Sequence, residues 1–273
     1  MEQIRLYFRT DPQLKEALLA VLSELPLIAF EETDDGWVSG IEATAWTNSL
    51  RRRIHKLKAI VPFLLEEERL VAKNWNEIWA QNFEPIQFDN FAAVRAPFHE
   101  HIRDVQFEIV IQPQMAFGTG HHETTQLMIQ QLARISVENK MVLDYGCGTG
   151  ILAILAEKMG AVSVDALEVD PMAYQNLLEN LEANKSDNIH PVQGDLDCLR
   201  DNWYDLVVAN LTRNLIIDSA GLLRRMIHTD GYLIASGFLK RDLTLVVDHV
   251  LKVGGNLIRK EEKKGWCAAT FQF

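Results

Sequence analysis

Hydrophobic positions in the first seventy residues follow strand and helix periodicities in turn. Residues 4–8 alternate between apolar and polar side chains, which predicts a strand. Residues 10–12 offer a helix start, and leucines then recur at helical spacing up to Pro26. Further strands are predicted at 27–30, 37–41 and 63–65, and a second helix at 44–60. The β-α-β-β-α-β order predicts a small ferredoxin-like α+β domain over residues 1–70.

Residues 71–87 are predicted to be a helical linker. Trp75 and Trp79 lie four positions apart, which places them on one face of a helix, and Pro85 ends that helix. We interpret the two indoles as packing between domains. A direct role in substrate recognition is the alternative.

From residue 88 onward, short apolar strands alternate with helices, as in a doubly wound parallel sheet. The predicted strands are 141–145, 162–168, 189–192, 205–210, 231–236, 256–262 and 266–273, with helices at 151–159 and 171–184. The last two strands form an antiparallel hairpin, the way methyltransferase sheets end. The pattern therefore predicts an α/β, Rossmann-like sheet of seven strands over residues 88–273, which is similar to a class I methyltransferase sheet.

The composition is that of an ordinary globular chain. Of 273 residues, 48% are hydrophobic and 24% are charged, which argues against disorder. No apolar run approaches the ~18 residues that span a bilayer, and the first residues carry charges where a signal peptide is apolar. Three widely separated cysteines suit a reducing compartment and argue against a disulfide framework or a zinc site. We expect a cytoplasmic protein that does not associate with membranes.

The charge is acidic. The formal net charge is −11; residues 1–70 hold nine basic and twelve acidic side chains, or −3, which leaves −8 for the rest. An acidic surface repels phosphate backbones, so direct nucleic-acid binding is not expected. A basic macromolecular partner fits better. No interface stripe is evident, and we expect a monomer.

The strongest chemical signal is residues 142–150, VLDYGCGTG, between a predicted strand and a helix. The glycines alternate, unlike the GxGxxG of dinucleotide binders. Gly146 and Gly148 let the backbone approach a ligand, and N–H groups here can hold a carboxylate. Asp144, at the end of the strand, is placed to meet a positive group. The methionine part of S-adenosyl-L-methionine, with its ammonium and carboxylate, fits better than pyrophosphate; a turn that merely reverses the chain is the alternative.

Other polar side chains follow other strands of this sheet. Glu168 ends the second strand and can accept hydrogen bonds from two ribose hydroxyls, with Asp170 as its rival. Asp195 follows the third strand, where it meets an adenine amino group or is an ordinary loop residue. Asn210 lies at the edge where α/β sheets bind ligands, so its amide oxygen can accept a hydrogen bond from a substrate nitrogen. A helix-capping role for Asn210 is the alternative.

Residues 115–125, MAFGTGHHETT, are predicted to be a lid, a loop rich in Gly and Thr that leads into a helix from Thr124. Its hydroxyls suit contacts with a cofactor. His121, His122 and Glu123 suggest a metal, but adjacent side chains point in different directions and the pattern is not HExxH. No metal is therefore expected.

Several segments together resemble the bacterial ribosomal protein L11 methyltransferases of the PrmA type: NWNEIWAQNFEP, MAFGTGHHETT, VLDYGCGTGILAI, DALEVDPMA and VVANL. The resemblance is strong from about residue 73 to the end, whereas residues 1–70 match in pattern and position. It implies a protein-lysine N-methyltransferase that uses S-adenosyl-L-methionine. The implied substrate is L11, modified at lysine side chains and at the amino-terminal amine. The small first domain resembles the substrate-recognition domain of the family.

The resemblance also implies site residues. The implied cofactor contacts are Thr125, Gly146, Glu168 and Asn210, and Phe117 and Thr119 belong to the same lid. Two positions depart from the family pattern. Glu168 stands where aspartate is usual, which keeps the charge and lengthens the reach, and Gln114 replaces a common glycine before the lid.

Methyl transfer to an amine needs a free lone pair on nitrogen. A lysine with a pKa near 10.4 is neutral in only about one molecule in a thousand at pH 7, so we expect the pocket to desolvate the amine and Asn210 to position it. Other acceptors remain as alternatives: another protein, a small molecule or RNA, although Asn210-Leu211-Thr212 lacks the proline pair of RNA- and glutamine-directed relatives. A nicotinamide dehydrogenase and a non-catalytic binding module are the alternatives from other classes.

Overall fold

The computed structural model describes residues 3–23, 25–70, 83–112, 117–199 and 201–273. The chain divides into two compact units, Met1–Ile78 and Trp79–Phe273. The expected linker, with Trp75 and Trp79, lies mostly in 71–82 and thus outside the described residues. Within the described ranges, no helix is long and apolar enough to cross a membrane.

The first unit is a four-stranded sheet with two helices. Its elements are β1 (Gln3–Arg9), α1 (Lys15–Leu22), β2 (Ile28–Thr33), β3 (Gly36–Glu42), α2 (Asn48–Leu57) and β4 (Leu64–Leu70). The strand order is β2-β3-β1-β4, and each neighbouring pair is antiparallel. This arrangement is ferredoxin-like and confirms the predicted element order.

The core of the first unit lies under its helices. Ile4, Leu6 and Phe8 alternate along β1 and bury one face of the strand against Leu18 of α1 and Ile54 of α2. Because a strand has a period of two, this alternation fixes which face is covered.

Two element boundaries in the first unit differ from the prediction. Helix α2 begins at Asn48 rather than near residue 44, because the Thr47 hydroxyl caps it by accepting a hydrogen bond from the Leu50 N–H. Strand β4 runs to Leu70, well beyond the predicted end at residue 65.

The second unit contains a seven-stranded sheet. Its strands are β8 (Met141–Tyr145), β9 (Ser163–Glu168), β10 (Ile189–Gln193), β11 (Tyr204–Asn210), β12 (Ile227–Leu239), β13 (Asn256–Lys263) and β14 (Trp266–Gln272). The order is β10-β9-β8-β11-β12-β14-β13. The first five strands pair in parallel, and β14 is antiparallel to both of its neighbours. The predicted seven strands and terminal hairpin are confirmed.

Helices cover both faces of this sheet. They are α3 (Glu123–Leu132), α4 (Ile151–Lys158), α5 (Pro171–Asn184), α6 (Arg213–Met226) and α7 (Leu243–Lys252). Val142 and Val208 belong to the core on one face, and Leu143 and Val207 belong to the core on the other. Strands buried on both sides explain the near-continuous apolar runs in the sequence.

A second, smaller sheet precedes α3 and was not predicted. It consists of β5 (Ile86–Phe88), β6 (Ala92–Arg95) and β7 (Phe107–Val110), in the order β5-β6-β7. Strand β5 begins inside the range expected for the linker. Strand β7 is one edge of this sheet, and it precedes the lid in the sequence.

Candidate active site

The glycine bend, residues 146–150, connects the end of β8 to the start of α4. Gly146, Gly148 and Gly150 have φ values of +70°, +54° and +78°, a region that side chains disfavour. A Cβ on Gly148 would lie 2.4 Å from the Phe117 carbonyl oxygen, and one on Gly146 would lie 2.4 Å from Leu211 Cδ2. The glycines are therefore required by backbone conformation and by close protein packing.

The N–H groups of the bend are bonded within the protein. Those of Gly146 and Cys147 donate to the Leu167 carbonyl at 2.9 and 3.0 Å, and that of Gly148 donates to the Glu168 carboxylate at 2.9 Å. The Thr149 N–H donates to the Phe117 carbonyl at 3.0 Å. This differs from the expectation that these groups hold a ligand carboxylate, because their hydrogens already have acceptors.

Asp144 lies beneath the bend and is almost fully buried. Its Oδ2 accepts a hydrogen bond from the Ala153 N–H at 3.0 Å, in the first turn of α4. Its Oδ1 is buried and has no partner among the described residues. Burial raises the pKa of Asp144 to about 7; the Ala153 hydrogen bond opposes this shift, and the charge of Glu168 adds to it. A cation beside Oδ1 would supply the missing partner.

Glu168 ends β9, next to the bend. Its Oε2 accepts from the Gly148 N–H, and its Oε1 accepts from the N–H groups of Val169 and Asp170, all at 2.9 Å. Glu168 as a whole is 8% exposed. Asp170 has a different task, because its Oδ1 caps α5 by accepting from the N–H groups of Met172 and Ala173.

Asn210 ends β11, the strand beside β8. The register pairs Ala209 with Tyr145, which puts Asn210 level with the glycine bend. Asn210 Oδ1 is buried, and no described residue donates a hydrogen bond to it. A buried amide oxygen without a donor is costly, so it suits a ligand or substrate N–H.

The described part of the lid, residues 117–125, packs on the same edge of the sheet. Thr149 Oγ1 donates to the Gly118 carbonyl at 2.7 Å and so ties the lid to the bend. Thr125, in the first turn of α3, is fully buried, and its hydroxyl has no partner in the described chain. Thr119 is half-buried in the preceding loop. The lid thus carries hydroxyls beside the bend.

The lid histidine His122 is the N-cap of α3. Its Nδ1 accepts a hydrogen bond from the Thr124 N–H at 3.2 Å. Its ring lies 5.3 Å from that of Phe117 and 4.8 Å from that of Trp266. Phe117 is 53% exposed, and Trp266 begins β14 next to the end of β12. These rings form an aromatic rim, Phe117–His122–Trp266, at the carboxyl edge of the parallel strands.

Asp195, the suggested adenine contact, caps its own loop. Its Oδ1 accepts from the Asp197 N–H at 3.0 Å. The pKa of Tyr145 is raised, first by burial and then by the charge of Asp195. The charge of Asp195 therefore acts on Tyr145, the last residue of β8.

A model of the family described as ribosomal protein L11 methyltransferase (PrmA) matches residues 20–273 of this chain. The chain belongs to this family. A ribosomal protein L11 methyltransferase of Bacteroides thetaiotaomicron is 34% identical over 286 residues, which cover 100% of both chains. One of Porphyromonas gingivalis is 42% identical over 200 residues, or 72% of this chain and 69% of the relative.

A solved structure of the PrmA family is also similar. The ribosomal protein L11 methylase of Lactobacillus delbrueckii subsp. bulgaricus has 26% sequence identity and a TM-score of 0.64, over 69% of this chain and 97% of that chain. Family membership confirms the resemblance inferred from the motifs and the methyltransferase class of the fold.

The site residues expected for a PrmA protein come from separate elements but meet at one edge. Those at the bend or on the strands beside it are Asp144, Gly146, Gly148, Glu168 and Asn210, and those of the lid are Phe117, Thr119 and Thr125. Their roles towards a ligand stay predictions.

Three residues near the site were not foreseen. Thr149 is a buried residue that joins bend and lid, and its place inside the glycine motif was a usable signal. Trp266 and Asn180 gave no such signal in the sequence. Their partners, His122 and Thr149, are far away along the chain and come close only in the folded protein.

Proposed function

We propose that this protein transfers methyl groups from S-adenosyl-L-methionine to amino groups of ribosomal protein L11, namely lysine side chains and the amino-terminal amine. One observation carries the proposal. Three buried oxygens from three different elements, on Thr125, Asp144 and Asn210, have no partner among the described residues. Buried polar atoms are rarely left without partners, so these three oxygens fit a polar ligand with both donors and acceptors.

The residues present fit S-adenosyl-L-methionine. Asp144 would accept hydrogen bonds from its ammonium group, and the Thr125 hydroxyl would donate to its carboxylate. Glu168 would accept from the ribose hydroxyls, since its Oε2 has one protein donor and room for another. When bound, S-adenosyl-L-methionine supplies an activated methyl group on a sulfonium. Gly146, Gly148, Phe117 and Thr119 would line the same site.

Asn210 acts on the substrate amine in this proposal. Its Oδ1 accepts a hydrogen bond from the incoming nitrogen and so orients the lone pair. The aromatic rim shields that nitrogen from water, and desolvation lowers the pKa of an amine. A larger neutral fraction means more nucleophile at pH 7.

We assign substrate recognition to residues 1–70, a linker to 71–87 and the cofactor site to 88–273. The names of the relatives, which are L11 methyltransferases, support L11 as the substrate. The net charge of −11 supports a basic partner.

The test is to incubate the protein with radiolabelled S-adenosyl-L-methionine and ribosomal proteins from a strain that lacks the enzyme. We expect one labelled band, L11, and no label in RNA. Peptide mapping should place the label on lysines and the amino-terminal amine. Label in a different protein, or none in L11, would refute the proposed substrate.

A further inference from the structure

Helix α5 carries a ladder of three asparagines, Asn176, Asn180 and Asn184, spaced four residues apart on one face. Asn184 pairs with Val110: its Oδ1 accepts from the Val110 N–H at 2.9 Å, and its Nδ2 donates to the Val110 carbonyl at 2.6 Å. Asn180 Oδ1 accepts from the Gln112 N–H at 2.8 Å. Four helical residues rise about 6 Å and two strand residues about 6.6 Å, so the ladder matches a strand edge.

Asn180 differs from Asn184 in that it also bonds the glycine bend. It is fully buried, and its Nδ2 donates to the Thr149 carbonyl at 2.8 Å. Thr149 in turn bonds the lid, through its N–H to the Phe117 carbonyl and through its hydroxyl to the Gly118 carbonyl. One amide therefore joins the chain at Gln112, the glycine bend and, through the bend, the lid.

We propose that Asn180 is a positioning residue for methyl transfer, which holds the glycine bend and the lid in register with the chain that leads out of β7. The inference rests on the proposed function. Asn180 acts through Thr149, since its amide is committed to Gln112, Thr149 and, at 3.5 Å, Asn176. The Gln112 N–H needs an acceptor and the Thr149 carbonyl needs a donor. The short amide side chain of asparagine provides both.

A purely structural role predicts something different. Asn184 likewise accepts from a backbone N–H, that of Val110, but its Nδ2 donates to the Val110 and Asn180 carbonyls, at 2.6 and 2.8 Å, and not to the bend. If the ladder only secures β7, the two positions should behave alike. If Asn180 positions the bend and the lid, substitutions at Asn180 but not at Asn184 should change the affinity for the cofactor.

The first experiment compares Asn180→Asp with Asn184→Asp in the full chain. Each variant keeps the oxygen that accepts from the strand and loses the amide donor. We expect both to lower the melting temperature. Asn180→Asp should weaken binding of S-adenosylhomocysteine, measured by calorimetry, about tenfold, as for loss of one buried hydrogen bond. Asn184→Asp should leave it within about twofold.

Turnover separates the roles further. Asn180→Asp should raise KM for S-adenosyl-L-methionine about tenfold while kcat falls less than about threefold, because ground-state positioning of the cofactor is lost. A structural role would lower the melting temperature without this split.

A second pair of variants, at Thr149, tests the same connection in case Asn180→Asp does not fold. Thr149→Val removes the hydroxyl that donates to the Gly118 carbonyl and keeps the side-chain shape, whereas Thr149→Ser keeps the hydroxyl. We expect weaker binding of S-adenosylhomocysteine for the valine variant and near wild-type binding for the serine variant. Equal affinities in this pair, or equal effects at Asn180 and Asn184, would overturn the inference. A wild-type protein that binds no S-adenosylhomocysteine would instead overturn the proposed function.

Discussion

Single atoms explain why the site needs the residue types it has. The alternating glycines at 146, 148 and 150 suggested a ligand that approaches the backbone closely. The structure adds a stricter cause, since a Cβ at Gly148 would collide with the Phe117 carbonyl and one at Gly150 with Leu177. The motif is therefore a packing requirement that shapes the bend and its contact with the lid.

Gly148→Ala tests this packing requirement. The change puts a Cβ 2.4 Å from a carbonyl oxygen at φ +54°, so the bend and the lid must separate. We expect binding of S-adenosylhomocysteine to weaken more than about tenfold. Gly265→Ala is the matched control, because Gly265 has φ +84° and no described atom within 4 Å of the added Cβ. This variant should lose about 1–2 kcal/mol of stability, because alanine strains the backbone at that φ. Its affinity for S-adenosylhomocysteine, measured by calorimetry, should be unchanged.

Asp144 makes the free protein sensitive to pH. Its pKa is raised from 3.8 to about 7, so the folded chain holds this proton more tightly than the unfolded chain does. The stabilisation is complete below about pH 4 and is lost as the pH rises through 7, by up to about 4 kcal/mol. Chemical denaturation at pH 5.5 and 8.5, chosen on either side of about 7, should show the part of this loss that falls above pH 5.5, about 2 kcal/mol.

Asp144→Asn is the control for that pH dependence. The variant should show a smaller loss of stability between the two pH values. Bound S-adenosylhomocysteine should also reduce the loss in the wild type, because its ammonium lowers the pKa of a nearby carboxylate. An identical pH dependence in wild type and variant would show that another group is responsible.

Asn210→Ala tests the positioning of the substrate amine. Removal of the unpartnered Oδ1 should lower kcat about 100-fold, the cost of a misplaced reactant, with unchanged affinity for S-adenosylhomocysteine. Asn214→Ala, at an exposed asparagine in α6, should change neither quantity. Full turnover in Asn210→Ala would contradict the assigned role.

Helices and strands decide which carboxylate is available to the cofactor. Asp170 is the N-cap of α5 and Glu168 is the last residue of β9. Asp170→Asn keeps a capping oxygen, so binding of S-adenosylhomocysteine should stay within about twofold. Glu168→Gln removes a charged acceptor and should weaken binding about tenfold. Calorimetry measures both affinities. A larger loss of affinity in Asp170→Asn than in Glu168→Gln would assign the ribose contact to Asp170 instead.

Element boundaries were predictable where local chemistry sets them. Helix α5 begins and ends as predicted, because Asp170 caps it, Pro171 opens it and Lys185 ends it in the left-handed conformation. Strand β4 was predicted to end at residue 65, but Glu66–Glu68 belong to it as well. They continue the strand because β1 supplies partners, with Arg9 bonding Glu66 at 3.2 Å and the Tyr7 hydroxyl bonding Glu68 at 2.6 Å. Such pairs exist only once the sheet has formed.

At the scale of the whole molecule, the sheet assembles most of the site. Parallel strands end at one edge, so Asp144, Glu168 and Asn210 were expected to meet there. The sheet β5-β6-β7 was missed because its strands have three or four residues and no readable period. The bond from Gln112 to Asn180 spans 68 positions and depends on how that sheet packs against α5, which no local pattern encodes.

The overall charge predicts that binding of the substrate L11 depends on salt concentration. A chain with net charge −11 attracts a basic protein through electrostatic interactions. Salt screens this attraction, since the Debye length falls from about 10 Å at 0.1 M to about 3 Å at 1 M. KM for L11 should therefore rise severalfold between about 0.05 and 0.5 M salt. KM for S-adenosyl-L-methionine should change little, because the charged groups proposed to hold it, Asp144 and Glu168, are buried and buried pairs are screened much less. Steady-state kinetics along a salt series separates the two constants. A KM for L11 that stays constant or falls would mean that recognition depends on apolar contacts rather than on charge.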